Sequence, residues 1–332
     1  MMAGTAGRQR IQRVIAVVGP TGVGKSALAE SLAERIGGEV VSADSMQVYR
    51  GMDIGTAKVP PAERRVPYHC IDLADPGTPF SAAMYQQYAR RAIDDIVARG
   101  RVPVLCGGTG LYVRAALDDM RFPSGEIASP VREEIEALAE RLGAEGLHAH
   151  LARIDPASAA LIHPNNVRRT VRALEMAAHG VSYAEQASRF SVRTSVYPTV
   201  LIGLVMRRDL LYAAIDARVD AMLEAGLLDE VRALLVRGYR EALTARQAIG
   251  YKELVPVIEK GAPLDQAVAA IRQATRRYAK RQLTWFRADP RIRWIDVTGR
   301  SPEDVRADAL RLVESADTHD TDAEEERCGS NS

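Results

Sequence analysis

Eight residues near the start of the chain, Gly19-Pro20-Thr21-Gly22-Val23-Gly24-Lys25-Ser26, spell G-x-x-x-x-G-K-S and follow directly on the apolar run Val14–Val18. A buried strand, a glycine-rich turn and a helix, in that order, form the setting of a phosphate-binding P-loop. The glycines let successive backbone N–H groups converge on one concavity. A helix expected over 25–35 aims its positive dipole end at the same spot. In that frame Lys25 reaches terminal phosphate oxygens and the Ser26 hydroxyl suits Mg²⁺. The segment is read as gripping a di- or triphosphate. What the phosphate is attached to stays open, because kinases, NTPases and pyrophosphate-releasing transferases all use such a loop.

The remaining composition narrows the class only by exclusion. A chain of 332 residues holds one large or two smaller domains. Net charge is +1, but the charge is unevenly spread. Eight Lys or Arg face a single acid, Asp289, over 272–293, whereas 315–332 holds six acids and one Arg. The acidic tail lacks apolar periodicity, and disorder is expected there. Cys70, Cys106 and Cys328 form neither a disulfide framework nor a zinc spacing. No signal-peptide pattern is seen, nor an apolar run of the roughly 18 residues a membrane span needs. The expectation is a cytoplasmic protein without membrane contact, and nothing demands more than a monomer.

Along the first third, strand and helix alternate: strands at Val14–Val18, 39–42 and 102–106, helices over 25–35 and 81–99. That grammar predicts an α/β fold with a P-loop, doubly wound parallel sheet. Ligands of such sheets collect at the carboxyl ends of the strands. The P-loop, Ala43-Asp44-Ser45-Met46-Gln47 and Gly107-Gly108-Thr109-Gly110 therefore converge on one rim. From about residue 125 the pattern turns helical, and strand signal returns only at 199–206. Four segments follow: a first part of the core at 12–124, a helical insertion at 125–196, a second part of the core at 197–312, and the acidic tail at 313–332. In the second part, helices are expected over 210–237, 252–260 and 264–286, and a last strand near 292–297.

Several side chains carry potential chemistry. Asp44 directly follows a strand, which suits a general base or a Mg²⁺ contact, or else a turn or N-cap aspartate. Ser45, Met46 and Gln47 add groups able to read a base edge. Thr109 either meets a ligand or caps a tight turn. Arg168, Arg169 and Arg172 open a helix in the insertion and can grip a phosphate backbone, or simply pair with Glu175. In 264–286, Arg272, Arg276 and Lys280 repeat every four residues with aromatic residues between them. Like charges at that spacing repel, and a polyanion neighbour would relieve them.

Taken together, the motifs resemble the tRNA dimethylallyltransferases, also called tRNA isopentenyltransferases. The likeness is carried by the P-loop, by Ser42-Ala43-Asp44-Ser45-Met46-Gln47-Val48-Tyr49 and by Gly51-Met52-Asp53-Ile54-Gly55-Thr56-Ala57-Lys58. It continues through Gly107-Gly108-Thr109-Gly110-Leu111-Tyr112, Ile162-His163-Pro164-Asn165, Arg172-Ala173-Leu174-Glu175 and Ile249-Gly250-Tyr251, and ends with Tyr278-Ala279-Lys280-Arg281-Gln282-Leu283-Thr284-Trp285-Phe286-Arg287. The order holds from about Val14 to Val297.

The resemblance implies transfer of a dimethylallyl group from dimethylallyl diphosphate to N6 of an adenosine adjacent to the tRNA anticodon, with pyrophosphate released. It implies that Gly19, Pro20, Thr21, Gly22, Val23, Gly24, Lys25 and Ser26 hold the diphosphate, with Mg²⁺ at Ser26. Catalysis would fall to Asp44 as base, Lys25 and Thr109. Contacts to tRNA would come from Asp44, Ser45, Met46, Gln47 and Thr109, from Arg132, and from Arg168, Arg169, Thr170, Val171 and Arg172. Arg246, Gln247, Ala248, Ile249, Gly250 and Tyr251 complete that set. The family's C-terminal zinc finger, present in some members, has no counterpart here, since the C-terminus carries Cys328 alone. Three rival readings are an isopentenyltransferase acting on free adenine nucleotides, an ATP-binding P-loop kinase, and a nucleic-acid-binding module without catalysis. The insertion and its arginines argue against the first. The intact Lys25, Ser26 and Asp44 argue against the last.

Overall fold

The computed structural model describes residues 13–122 and 129–329, the last thirteen of them by backbone alone. The expected boundaries at 12, 124 and 125 lie outside the described residues, as do positions 330–332. By compactness the chain divides into one unit of residues 1–117 and 196–332 and a second of residues 118–195. The second unit thus starts several residues before the expected insertion.

The first unit opens with β1 (Val14–Val18), α1 (Lys25–Ile36), β2 (Gly38–Ser42), β3 (Tyr68–His69), α2 (Ala82–Ala98), β4 (Val102–Gly107) and α3 (Gly110–Leu117). The second unit is helical: α4 (Pro130–Ile154), α5 (Pro156–Leu161), α6 (Val167–Ala178) and α7 (Tyr183–Ser191). The first unit resumes with β5 (Thr199–Val205), α8 (Arg208–Glu224), α9 (Leu227–Val236), α10 (Val255–Lys260), α11 (Leu264–Arg287), β6 (Arg293–Asp296) and α12 (Pro302–Gly329).

Six parallel strands run in the order β3-β2-β4-β1-β5-β6. The apolar runs of β1, β2, β4 and β5 explain their central place, since a strand buried on both faces needs apolar residues on both. Every residue of β1 and β2 is buried. Pairing of Val18 with Gly107, of Ser42 with Cys106 and of Val18 with Gly203 brings the carboxyl ends of β1, β2, β4 and β5 level. The core beneath that rim holds Ile15, Val17, Leu32, Val104, Ile202 and Leu204. Truncating one such residue to Ala typically costs about 2–5 kcal/mol.

The four helices of the second unit close their own core around Leu147, Leu151, Val171 and Leu174. Gly143, at φ 67°, interrupts α4 with a kink.

Three expectations need correction. The single helix foreseen over 210–237 is two, α8 and α9, parted at Gly226, whose left-handed φ of 96° ends one helix and opens the next. The helix foreseen from 252 begins only at Val255, with Pro256 in its first turn, where a missing N–H is harmless. The tail expected to be disordered instead extends α12 to Gly329. The helix begins on residues that pack against the sheet, where Val305 and Ala309 are buried, and its backbone carries on into the acidic stretch.

Candidate active site

The P-loop takes the form its glycines allow. Gly19, Gly22 and Gly24 have φ of 144°, 83° and 92°, all in the region that L side chains avoid. A Cβ on Gly19 would lie 2.7 Å from the Leu204 carbonyl of β5, so the close approach of loop to sheet also demands glycine there. Lys25 heads α1 and its Nζ donates to the Pro20 carbonyl at 2.6 Å. Burial of its ammonium lowers the Lys25 pKa to about 8; neighbouring Cys106 and Asp44 oppose that shift and Arg218 adds to it. Ser26, next in α1, is exposed at the mouth of the loop.

The turn after β2 is tied to the turn after β4. Thr109 N–H donates to the Ala43 carbonyl at 3.1 Å, and Ala43 N–H donates to the Cys106 carbonyl at 2.7 Å. A side chain on Gly107 would collide with the Ala43 backbone, which explains glycine at the strand end. Asp44 Oδ1 accepts the Met46 N–H at 2.8 Å, closing an Asx turn. Among the described residues Oδ2 accepts no hydrogen bond. The turn-aspartate and base readings of Asp44 thus coexist, one oxygen serving each. Thr109 Oγ1 accepts the Ser45 N–H at 3.0 Å and so holds the same turn. Gln47 accepts from Ser42 Oγ at 2.8 Å and donates to the Thr56 carbonyl at 3.1 Å.

Two cavities meet at this rim. The smaller, about 80 Å³, lies on the P-loop and is lined by Lys25, Ser26, Ser42 and Gln47. The larger, about 500 Å³, is lined by Ser45, Met46 and the run from Gln247 to Tyr251. Thr21, Asp44, Thr56, Arg218 and Tyr278 line both and form the border between them.

Three border or bridging residues have no role in the sequence reading, although Tyr278 and Gln282 lie in a stretch that carries the resemblance. Arg218, on α8, is enclosed; burial lowers its pKa, which the Asp44 carboxylate partly offsets. Among the described residues it has no carboxylate at salt-bridge distance. Gln282, on α11, accepts the Thr21 N–H at 2.8 Å and donates to the Gly108 carbonyl at 3.0 Å, so one buried amide joins the P-loop to the turn after β4. Tyr278, one turn earlier, lies beside Thr109 and Gln282, and burial pushes its phenol up to about 12.

The other nominated residues fall into different places. Arg246 is exposed and lines neither cavity, whereas Gln247, Ala248, Ile249, Gly250 and Tyr251 line the larger one. Arg277 and Arg281 of α11 also line it, with Arg281 stacked 5.6 Å from the Tyr278 ring centroid. Arg272 and Arg276 do not: they pair with Asp220 and Asp216 of α8. The charge repulsion read in α11 is therefore relieved at those two positions by neighbouring aspartates rather than by a polyanion.

In the second unit, Arg132 and Arg172 both reach the buried Glu175, each at 3.3 Å. Arg168 and Arg169 are exposed and, among the described residues, have no carboxylate partner. Thr170 and Val171 turn into the core, and the Thr170 hydroxyl bonds the Asn166 carbonyl at 3.1 Å. Their side chains do not present a surface to nucleic acid, which corrects their place among the tRNA contacts. Helical geometry accounts for this, because within the stretch 168–172 the two central residues face inward.

A P-loop α/β unit whose P-loop cavity borders a second cavity lined by a carboxylate, cations and backbone fits a group-transfer enzyme rather than a binding module. Comparison with known proteins gives the family. Residues 47–289 match the family described as IPP transferase, and residues 12–66 match the isopentenyl transferase family. The tRNA dimethylallyltransferase of Geobacillus thermodenitrificans is 49% identical over 289 residues, covering 86% of this chain and 91% of that one. That of Roseiflexus is 51% identical over 281 residues, 84% of this chain and 91% of that protein. The full-length tRNA isopentenylpyrophosphate transferase of Bacillus halodurans superposes with a TM-score of 0.70 at 41% identity, covering 95% of this chain and 99% of that one. A eukaryotic dimethylallyltransferase acting on tRNA superposes with a TM-score of 0.76 at 30% identity, over 93% of this chain and 80% of that one. The chain belongs to the tRNA dimethylallyltransferase family. Among the described residues no helix is long and apolar enough to cross a membrane.

Proposed function

We propose that the two cavities of the first unit divide the reaction between them, the P-loop cavity taking dimethylallyl diphosphate and the larger one an adenosine of tRNA beside the anticodon. The dimethylallyl group passes to N6, and pyrophosphate leaves. The observation that carries this reading is the border: Asp44, Arg218 and Tyr278 line both cavities, where donor and acceptor must meet.

The P-loop amides and Lys25 hold the diphosphate. As the allylic C–O bond breaks, its electron pair stays on the leaving oxygen, and Lys25 and Arg218 face that growing charge from within a low-dielectric enclosure. Neither spends its charge on a protein carboxylate in hydrogen-bond contact. Adenine N6 donates its lone pair to carbon and loses a proton. Asp44 Oδ2 is positioned to accept that proton, while Oδ1 keeps the Asx turn. Thr109 acts on the same turn through the Ser45 amide. The family implies a divalent cation with the diphosphate. Ser26 Oγ, on the smaller cavity, is a hard oxygen donor that fits Mg²⁺. When bound, the cation would neutralise diphosphate charge.

For tRNA, contacts come from Arg168 and Arg169, exposed cations of α6, and from Arg277 and Arg281 on the larger cavity. The deciding assay supplies labelled dimethylallyl diphosphate with unmodified tRNA, with AMP, or with ATP. Label in tRNA alone is expected. Label in AMP instead would establish the free-nucleotide enzyme, and consumption of ATP tied to product would establish the kinase.

A further inference from the structure

Two segments that wall the larger cavity are fastened to one carboxylate outside it. Glu230, on α9, accepts three consecutive backbone N–H groups: Asp53 at 2.9 Å and Ile54 at 2.8 Å through Oε2, and Gly55 at 3.1 Å through Oε1. Oε1 also accepts the Tyr251 hydroxyl at 2.6 Å. A carboxylate that collects four donors is strongly held, because charge-assisted bonds are shorter and stronger than neutral ones. Gly55 and Thr56 form one wall of the larger cavity, and the run from Gln247 to Tyr251 forms another. The Tyr251 ring lies so close under Gly55 that a Cβ there would overlap it. On the far side of the turn, Lys58 bonds Asp53 at 2.7 Å and the Tyr49 carbonyl at 2.6 Å. From the turn, the Thr56 carbonyl continues to Gln47 and so to Ser42, at the base of the Asp44 turn.

None of the catalytic roles assigned above uses Glu230, and it lines neither cavity at the rim. We infer that Glu230 is a positioning residue: it fixes the 53–56 turn and the 247–251 segment against each other and thereby sets the acceptor cavity's width for an adenosine. The inference rests on the proposed division of the site into a donor and an acceptor cavity. It predicts an asymmetric effect. The P-loop and Lys25 are held by β1, α1 and Gln282, and of the 53–56 turn only Thr56 reaches the donor cavity, so the donor side should sense Glu230 far less than the acceptor side.

Glu230→Gln keeps the side chain's shape but exchanges one acceptor for an amide N–H₂ that faces backbone donors. It is expected to raise the KM for unmodified tRNA on the order of tenfold and to leave the Kd for dimethylallyl diphosphate within about twofold of wild type. Tyr251→Phe removes only the hydroxyl bond and should raise the tRNA KM about two- to threefold. The double variant should fall short of the product of the two single effects, since both changes act on the same side-chain pair. Should Glu230→Gln not fold, Tyr251→Phe decides by the same split. An unchanged tRNA KM in the folded variants, whatever the melting temperature, overturns the inference, and so does an equal loss of donor affinity, which marks general collapse. A wild-type chain that labels no tRNA overturns the functional reading and the inference with it. Wild-type turnover with an unchanged Glu230→Gln overturns the inference alone.

Discussion

The cavity-bearing rim of the first unit and the arginine-bearing helix of the second handle charge in opposite ways. At the rim, Lys25 and Arg218 are enclosed without a carboxylate in direct contact, and the polar groups around them are tied to backbone: Gln282 to Thr21 and Gly108, Thr109 to Ser45, Asp44 to Met46. On α6, the inner arginine, Arg172, shares the buried Glu175 with Arg132, and only Arg168 and Arg169 stand free on the surface. A site that stabilises a charge appearing during reaction must keep enclosed cations unspent, because in low dielectric their interaction is strong and needs no rearrangement. A surface that holds a ready-made polyanion needs exposed cations, and its gain comes from released counterions. Charge at the rim should therefore govern turnover, and charge on α6 should govern affinity and its dependence on salt.

The sharpest way to break that contrast is Asp44→Asn. The variant keeps the acceptor that closes the Asx turn and removes the proposed base. Turnover is expected to fall by about 10²–10⁴, with tRNA affinity little changed. A near-normal single-turnover rate would show that another group takes the N6 proton. Next in size is Arg218→Ala, which removes an enclosed cation from the border. It should weaken dimethylallyl diphosphate binding on the order of 10- to 100-fold and lower turnover as well, because charge grows on the leaving group. Loss of tRNA affinity alone would move Arg218 from the donor side to the acceptor side.

Arg218 also shows where sequence reading ends. The P-loop is legible because its glycines, lysine and serine are contiguous and act through local backbone geometry. Arg218 is one of several charged residues on α8, and only packing against the rim distinguishes it from Arg208 at the start of the same helix. Gln282 acts on a residue 261 positions away, a relation with no local signature. The reverse error occurs at Thr170 and Val171. They belong to a stretch whose family likeness is to nucleic-acid contact, yet their place on the inward face of α6 is a matter of helical period, which motif matching passes over. The acidic tail departs from expectation for a related reason. Composition alone suggests disorder, but the helix starts on apolar residues upstream that dock on the core.

The charge pattern of α6 gives a smaller effect with a built-in control. Reversing Arg168 and Arg169 to Glu should lower tRNA affinity about tenfold or somewhat more and flatten its salt dependence by roughly one unit of slope per contact. Melting temperature should stay unchanged, because both side chains are exposed. Arg172→Glu should behave differently, placing a second carboxylate against the buried Glu175 and destabilising the second unit by about 1–2 kcal/mol, since Arg172 is partly exposed and Arg132 still pairs with Glu175. Equal melting temperatures for the two sets of variants would show that Glu175 does not separate inner from outer arginines.

The smallest expected effect probes the enclosed state of Lys25 itself. Burial lowers its pKa to about 8, well below that of an exposed lysine. The diphosphate needs the protonated ammonium, and once bound its negative charge holds that proton in place. Below pH 8 the free protein already carries the proton, so donor affinity is insensitive to this group. Above pH 8 a proton must be taken up on binding, so affinity falls as pH rises, by about fourfold between pH 7 and pH 8.5 for a single group titrating there. Titrating dimethylallyl diphosphate across that range checks the sign, and Lys25→Arg supplies the reference, since guanidinium stays charged throughout. The wild type should bend and the variant should run flat. If both run flat, the ammonium is hydrated rather than enclosed, and the contrast between an enclosed rim and an exposed helix would rest on Arg218 alone.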